Sequence, residues 1–298
     1  MRTVWNLTVL TWAVSGAGSS RKKTKVGTDI DLTDMYHPWD EDVDESPSSA
    51  QHQVGEYITT SVKEGDSLNT AIELLESFST SKHLGMTLGN PKGKIIEDAI
   101  SISLNRNNWN NLVFIELGSH IGDGTLRIIR QLSAGLENGG TRKCIVFSLE
   151  ANNEWLGIGT NIVRHVLQMT GNSSKCRYVP MTLTNDITHT MTHIKHVLKA
   201  ELKNESVSGI FLDHNHAKFN RDIQIMHDQG LLAEGTLILA DNALRHKKVM
   251  KGFIDEMRTS GKFFQLAPVT DPYPDEVLVV EWNKPKVQKS ENHDRSEL

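Results

Sequence analysis

Short apolar runs alternate with longer amphipathic segments through the middle of the chain. The apolar runs cover residues 112–117, 144–149, 177–181, 210–212 and 237–240. The amphipathic segments between them cover residues 125–132, 155–169, 187–202 and 219–227. Continuous apolar strands separated by helical patterns are typical of a parallel sheet with helices on both faces. The pattern therefore predicts an α/β fold built on a mostly parallel sheet.

Further patterns flank this alternation. Residues 263–267 and 277–282 are apolar runs joined by a loop that contains prolines, which indicates an antiparallel pair of strands at one edge of the sheet. Before the first strand, the apolar spacing within residues 68–75 and 95–100 predicts two helices. We expect these helices to cap the sheet and to wall a substrate site.

The two ends of the chain differ from its middle. A basic residue precedes a diluted apolar stretch over residues 4–17, which is the order of parts in a signal peptide. Residues 29–49 are rich in Asp, Glu, Ser and Pro and predict a disordered segment. We therefore expect an N-terminal arm over residues 1–60, a folded domain over residues 61–285 and a polar tail over residues 286–298.

Composition narrows the class of protein. A net charge of -5 argues against a nucleic-acid partner, which would require a basic face. Two cysteines, Cys144 and Cys176, are too few for a disulfide framework in 298 residues, and both lie in apolar runs, so we expect buried thiols. We expect a cytoplasmic monomer. The alternative is the secretory pathway, or a membrane anchor formed by residues 1–20.

A glycine turn follows the first predicted strand and opens a helix. Gly118 and Gly122 allow the backbone to turn tightly and to approach a ligand. The helix N-terminus beyond them suits a carboxylate or a phosphate. Taken alone, the turn does not separate a dinucleotide from S-adenosylmethionine, and a tight turn without a ligand is a third interpretation.

Two acidic residues narrow the choice of ligand. Glu116 stands just before the glycines, where it would repel a pyrophosphate but accept a hydrogen bond from the ammonium of an amino acid. Glu150 ends the second strand, where a carboxylate can accept both ribose hydroxyls of a nucleoside. The other interpretation of Glu150 is a surface residue that begins a loop.

Polar side chains also follow the fourth and fifth predicted strands. Asp213, Asp241 and Asn242 would meet at one rim of a parallel sheet and supply the oxygen ligands that Mg²⁺ prefers. His214 and His216 leave a softer metal such as Zn²⁺ or Mn²⁺ open. An acidic rim without a metal is the remaining interpretation.

Several segments together resemble the catechol O-methyltransferase family, from near Glu64 to Pro285. The resemblance depends on the order and spacing of residues 85–93, residues 116–118 with Gly122, and residues 211–214, 230–232, 235–236 and 239–242. It implies a Rossmann-like methyltransferase domain with a seven-stranded, mostly parallel sheet whose last strand is antiparallel. It also implies S-adenosylmethionine and Mg²⁺ as cofactors, with the metal held by Asp213, Asp241 and Asn242.

By position, the resemblance also assigns residues to the cofactor. These residues are Met86, Leu88, Glu116, Gly118, His120, Gly122, Thr125, Glu150, Ala151, Thr184, Asn185, Asp213 and His214.

The chain departs from the family at the catalytic base. The family's catalytic lysine corresponds to His216, and Lys218 lies two residues further on. Histidine is a competent base near neutral pH. His216 and Lys218 are therefore the candidate catalytic residues.

The substrate slot departs from the family as well. The family's slot is aromatic and proline-rich, whereas the matching positions here, with Asn242 beside them, are Leu84, Asn215 and His246. Either Asp275 or Glu276 is the candidate for a late substrate-binding carboxylate.

These residues favour an S-adenosylmethionine- and Mg²⁺-dependent O-methyltransferase of a catechol or a similar vicinal diol. One alternative is the same chemistry on another small hydroxylated molecule, which the more polar slot supports. A second is a non-catalytic binding or chaperone protein that keeps the fold. Glu116 and the acidic strand ends count against a dehydrogenase.

Overall fold

The structure is a computed structural model that describes residues 49–84, 87–136, 142–203, 206–269 and 274–283. All of these residues belong to one of the two units into which the chain divides, Thr33–Leu298. The segments predicted before residue 49 and the tail predicted over residues 286–298 lie outside the described residues. No helix in the described ranges is both long and apolar enough to cross a membrane.

The described residues form one seven-stranded sheet. Its strands are β1 (Leu112–Leu117), β2 (Cys144–Glu150), β3 (Arg177–Thr182), β4 (Gly209–Leu212), β5 (Leu237–Ala240), β6 (Gly261–Val269) and β7 (Asp275–Trp282). They are arranged in the order β3-β2-β1-β4-β5-β7-β6. Strands β1 to β5 pair in parallel, and β7 runs antiparallel to both β5 and β6. The predicted sheet with an antiparallel last strand is confirmed.

Eight α-helices of the described part surround the sheet, and residues His216–Lys218 form a short 3-10 helix. The α-helices are α1 (Ser49–Ser61), α2 (Leu68–Ser81), α3 (Gly89–Arg106), α4 (Asp123–Leu136), α5 (Asn153–Met169), α6 (Thr188–Leu202), α7 (Phe219–Asp228) and α8 (Lys247–Ser260). Ser67 caps α2 by accepting the backbone N–H of Thr70, and Asn152 caps α5 in the same way.

The core lies in two layers, one on each face of the sheet. Every residue of β1 and β2 is buried, as expected for strands covered on both sides. Successive residues of β1 point to opposite faces, so Phe114 packs in one layer and Val113 in the other. Residues of α2, α4 and α5 fill the first layer, and residues of α6, α7 and α8 fill the second.

The arm predicted over residues 1–60 differs from the structure at its C-terminal end. Residues 49–61 form α1, in which Val54 and Ile58 are fully buried in the first core layer. The helix extends the folded domain towards the N-terminus, because its apolar positions cover α2 and α5.

The expectation of buried thiols is wrong for both cysteines. Cys144 and Cys176 are buried, but they form a disulfide with their Cα atoms 4.6 Å apart. Each precedes one member of a pair, Ile145 and Arg177, on the adjacent strands β2 and β3. This register brings the two sulfurs together, and it is not visible in the sequence alone.

Candidate functional site

The carboxyl ends of four parallel strands meet at one edge of the sheet. Leu117 of β1 pairs with Leu149 of β2 and with Leu212 of β4, and Leu212 pairs with Ala240 of β5. The polar residues that follow these four positions therefore lie side by side. The sequence predicts this convergence correctly, because parallel strands all end at the same edge.

The glycine turn is required by packing inside the protein. Gly118 and Gly122 both have φ of 90°, a conformation that L side chains rarely adopt. A Cβ atom on Gly118 would collide with the carbonyl oxygen of Asp213, and one on Gly122 would lie 2.5 Å from Cγ2 of Val163. These glycines let the turn pack against β4 and α5, whether or not a ligand is present.

Glu116 presents a buried carboxylate oxygen beside this turn. Its Oε2 accepts hydrogen bonds from Thr125 Oγ1 and, at 2.9 Å, from Ser148 Oγ. Its Oε1 is buried without a hydrogen-bond partner among the described residues, and it lies so close to Gly124 that a Cβ there would collide with it. Burial raises the pKa of Glu116 to about 7. An unsatisfied buried acceptor is costly, and it suits a cationic donor such as an ammonium.

Glu150 joins the ends of two strands. Its Oε2 accepts the backbone N–H of His120 at 2.8 Å, and its Oε1 accepts that of Asn152 at 3.0 Å. Burial raises the pKa of Glu150 and lowers that of His120 to about 4, so the imidazole is neutral at pH 7. The ring of His120 packs edge-on against Trp155, with the ring centroids 4.6 Å apart.

A cavity of about 620 Å³ opens beside Glu150. Five residues that the sequence assigned to the cofactor line it: Glu150, Ala151, Thr184, Asn185 and His214.

The cavity wall also contains residues that the sequence motifs did not identify. Four of them are the cap of α5, Asn152, and the first three residues of that helix, and a capping asparagine just after a strand is the signal that could have found them. Asp222 is another, and it lies 2.8 Å from Nε2 of His214. No sequence signal connects Asp222 to the site, because it comes from α7.

Two residues predicted for other roles also line this cavity. Asn215, a substrate candidate, and Lys218, a candidate base, stand on the wall next to His214. The ammonium of Lys218 donates to Oδ1 of Asn185 at 2.9 Å. The structure therefore groups Lys218 with the cofactor candidates rather than with Asp241 and Asn242.

The acidic rim, formed by Asp213, Asp241 and Asn242, also contains a lysine that the sequence motifs did not identify. Nζ of Lys92 lies 3.0 Å from both carboxylate oxygens of Asp241, 2.7 Å from Oδ1 of Asn242 and 2.8 Å from Oδ2 of Asp275. Burial alone would lower the pKa of Lys92, but the carboxylates of Asp241 and Asp275 outweigh it and raise that pKa. Of the two late carboxylates considered from the sequence, Asp275 is thus the one in this cluster.

Asp213 and Asp241 lie close enough to affect each other's charge. Burial and then the charge of Asp241 raise the pKa of Asp213, and burial raises that of Asp241 although Lys92 opposes it. With Asp275, three carboxylates face the single positive charge of Lys92, so two negative charges stay unbalanced when all are ionised. That charge and the oxygens of Asp213, Asp241 and Asn242 fit a hard divalent cation.

The histidines do not complete a softer metal site. In the described part of the chain, no three or more His, Cys, Asp or Glu side chains are grouped to hold a metal ion. Nε2 of His214 is directed at Asp222, and His216 stacks on His246 with ring centroids 3.9 Å apart. The candidate set is therefore two carboxylates and the amide oxygen of Asn242.

His216 lies beside this rim in a neutral form. Its Nε2 is 3.4 Å from Nδ2 of Asn242. Burial lowers the pKa of His216 to about 2, and positive charge at His246 adds to the effect. The imidazole is therefore unprotonated, as a base must be, but its affinity for a proton is low.

The segment before α3 is tied to the start of α4. The backbone N–H of Leu88 donates to Oδ2 of Asp123 at 3.1 Å, and the Leu88 side chain lies next to Gly124. Leu84, the remaining substrate candidate, is partly buried against the first core layer. Met86 lies outside the described residues.

Comparisons with known proteins agree with the sequence motifs. No family model matches the chain. It is 23% identical over 197 residues to "Catechol O-methyltransferase" of Bos taurus, covering 66% of this chain and 62% of that protein. It is 27% identical over 175 residues to "Catechol O-methyltransferase B" of Danio rerio, covering 59% and 56% respectively. The chain therefore spans less than two thirds of the length of these relatives.

Among solved structures, the chain is similar to the SAH-bound methyltransferase PaMTH1 of Podospora anserina. The TM-score is 0.42 at 13% identity, over 88% of this chain and 100% of that one. The curated matches confirm the resemblance inferred from the motifs: over more than half of its length, the chain is similar in sequence to catechol O-methyltransferases.

Proposed function

We propose that the protein is an S-adenosylmethionine-dependent O-methyltransferase that acts on a catechol or a similar vicinal diol. The observation that carries the proposal is Oε1 of Glu116, which is buried without a partner among the described residues beside the glycine turn. The ammonium of the methionine part of the cofactor would satisfy this oxygen. The names of the curated relatives support the same substrate class.

The cofactor would lie across the ends of β1 and β2. Its methionine part would contact Glu116, with its carboxylate near the N-terminus of α4. The ribose hydroxyls would donate to Glu150, whose oxygens have lone pairs beyond those used by His120 and Asn152. The adenine would occupy the cavity of about 620 Å³ near His214.

The acidic rim would serve the substrate. Asp213, Asp241 and Asn242 would hold a divalent ion such as Mg²⁺, which would supply Lewis-acid activation of a hydroxyl. A vicinal diol offers such an ion a pair of adjacent oxygens. Asn242 would also contact the substrate, because its amide lies between Lys92 and His216.

The chemistry requires that one bond breaks as another forms. In the proposed reaction the substrate oxygen would attack the sulfonium methyl, so that a C–O bond would form, the methyl C–S bond would break and S-adenosylhomocysteine would leave with the electron pair. The hydroxyl proton goes to His216 or to water. Holding the two reactants in line removes much of the entropic barrier. The low pKa of His216 makes it a weak acceptor, so we expect it to assist turnover rather than to control it completely.

The stack of His216 on His246 favours a second candidate substrate class. His246 stands at a position that is aromatic or proline in the family's slot, and His216 adds a second hydrogen-bonding ring beside it. A small polyhydroxylated molecule would use such groups better than a flat catechol. Its methylation would need the same cofactor and the same acidic rim.

Two measurements test the proposal in sequence. Calorimetry with S-adenosylmethionine and S-adenosylhomocysteine should show binding that Glu116→Ala weakens strongly. Incubation with a panel of catechols and aliphatic diols, with and without a chelator, should then give methylated products identified by mass spectrometry. Absence of cofactor binding would refute the proposal. Binding without any methylated product would favour a non-catalytic binding protein.

A further inference from the structure

Lys92 lies where it can control access of a metal ion to the acidic rim. We propose that Lys92 is an internal cation that competes with a divalent metal ion for Asp241 and Asn242 and thereby sets the metal affinity of the site. The inference rests on the metal part of the proposed function. It adds a residue that determines when, and how tightly, the ion binds.

The contacts of the ammonium are those of a bound cation. Nζ of Lys92 lies within 3.0 Å of four oxygens, two from Asp241 and one each from Asn242 and Asp275. Oδ2 of Asp241 and Oδ1 of Asn242 accept hydrogen bonds from the ammonium, and the other two oxygens lie at ion-pair distance from it. Two of the three candidate metal ligands are therefore already engaged by Lys92.

The position of Lys92 on α3 separates it from ordinary surface lysines. Its side chain is 16% exposed, whereas that of Lys94, two residues along the same helix, is 70% exposed and pairs with Asp98. Partial burial of an ammonium is unfavourable unless carboxylates compensate for the lost hydration. The lysine thus stabilises a cluster of carboxylates that would otherwise repel one another.

A divalent ion and this ammonium exclude each other at short range. Both need the lone pairs of Asp241 and Asn242, and two positive charges a few ångströms apart repel strongly in a partly buried site. Asp275 stands outside the proposed metal set and holds Lys92 at 2.8 Å. When the ion binds, Lys92 would leave Asp241 and Asn242 and keep its contact with Asp275. The side chain would then act as a two-position switch.

Direct metal binding tests the inference without reference to turnover. Mn²⁺ is the probe, and its affinity is read by electron paramagnetic resonance on the full chain with S-adenosylhomocysteine present. Lys92→Gln should bind Mn²⁺ at least about tenfold more tightly than the wild type, because a competing charge is gone. Lys94→Gln is the matched control and should leave the affinity unchanged. Lys92→Arg keeps the charge and should not bind more tightly.

A second measurement covers the case in which Lys92→Gln fails to fold. In wild-type protein with ¹⁵N-labelled lysine, the Nζ resonance that is lost in Lys92→Arg should shift on addition of Mg²⁺, and that of Lys94 should not. An unmoved Lys92 resonance in protein that binds Mg²⁺ overturns the inference. So does Mn²⁺ affinity in Lys92→Gln that is equal to or weaker than that of the wild type, and both results leave the metal proposal standing. Absence of Mn²⁺ binding in every variant overturns the inference together with the metal site, whereas cofactor binding is judged separately.

Discussion

The backbone N–H of His120 donates to Oε2 of Glu150 at 2.8 Å, which fastens the turn after β1 to the end of β2. His120 has φ of 45°, so this bond helps to hold a backbone conformation that is unusual for a residue other than glycine. The carboxylate proposed to bind ribose is thus also the group that fixes the turn proposed to bind methionine. The side chain of Glu150 therefore links the proposed ribose site to the proposed methionine site.

Replacing Glu150 should therefore weaken cofactor binding more than the loss of ribose contacts alone would suggest. We expect Glu150→Ala to lower the affinity for S-adenosylhomocysteine by about tenfold to a hundredfold, the range for hydrogen bonds to a charged group. Calorimetry measures the change. The control is Glu154→Gln, because Glu154 lines the same cavity but is exposed in the first turn of α5. Equal affinities in the two variants would contradict the assignment of Glu150.

Glu116 should make the stability of the apoprotein fall as pH rises. Burial raises the pKa of Glu116 from 4.5 to about 7, so between these values the folded protein keeps a proton that the unfolded chain releases. The stabilising contribution is complete below pH 4.5, decreases towards pH 7 and is lost above it. A pKa difference of one unit corresponds to about 1.4 kcal/mol, so the unfolding free energy can decrease by about 3 kcal/mol.

The measurement is urea unfolding at pH 5 and at pH 8. The decrease in unfolding free energy between the two should be smaller in Glu116→Gln, which keeps an acceptor for Thr125 and Ser148 but does not titrate. The same pH dependence in both proteins would show that Glu116 is not the group responsible.

Substitutions of the two candidate bases, His216 and Lys218, should affect different measured quantities. We expect His216→Ala to lower turnover with little change in cofactor affinity, because the ring contacts Asn242 and His246 rather than the cavity. Lys218→Met should instead weaken cofactor binding severalfold, because its ammonium is held by Asn185 on the cavity wall. Steady-state rates and calorimetry read the two effects. Unchanged turnover in His216→Ala would remove His216 as a base, and lost turnover in Lys218→Met with normal cofactor affinity would restore Lys218.

The site residues that can be predicted from the sequence are those whose positions depend on the direction of the strands. The burial of β1 and β2 on both faces identifies a parallel sheet, and a parallel sheet gathers the residues after its strands. The proximity of Asp213 and Asp241 is therefore predictable without any knowledge of helix packing. Glu116 and Glu150, at the next-to-last position of β1 and the last position of β2, come to the same edge of the sheet.

Contacts that depend on where a helix packs, or on the register between two strands, cannot be predicted from the sequence. Lys92 reaches Asp241 only because α3 packs over the ends of β5 and β7, and no periodicity reports that docking. Asp222 reaches His214 from a separate helix in the same way. The disulfide depends on the relative register of β2 and β3, which two apolar runs do not specify.

Removing the metal or one of its ligands should stop methyl transfer. We expect Asp241→Ala to abolish metal-dependent activity, because it deletes a carboxylate and also a partner of Lys92. A chelator should have the same effect on the wild type, and added Mg²⁺ should reverse it. Asp255→Asn is the control, since Asp255 is an exposed acid on α8 that pairs with Lys251. Full activity of Asp241→Ala, or of the wild type in chelator, would refute the metal site.

Reduction of the Cys144–Cys176 disulfide should destabilise the domain. The bond joins residues 32 apart in sequence, and closing a loop of that length stabilises a protein by roughly 3–4 kcal/mol through the unfolded chain. Urea unfolding with and without a phosphine reductant measures the difference in unfolding free energy. The double variant Cys144→Ala and Cys176→Ala is the control, because the reductant should not affect it. Because the two sulfurs are bonded to each other, alkylation of the freshly isolated protein, followed by mass spectrometry, should find both cysteines unmodified. Two alkylated thiols together with no effect of reductant would disprove the bond.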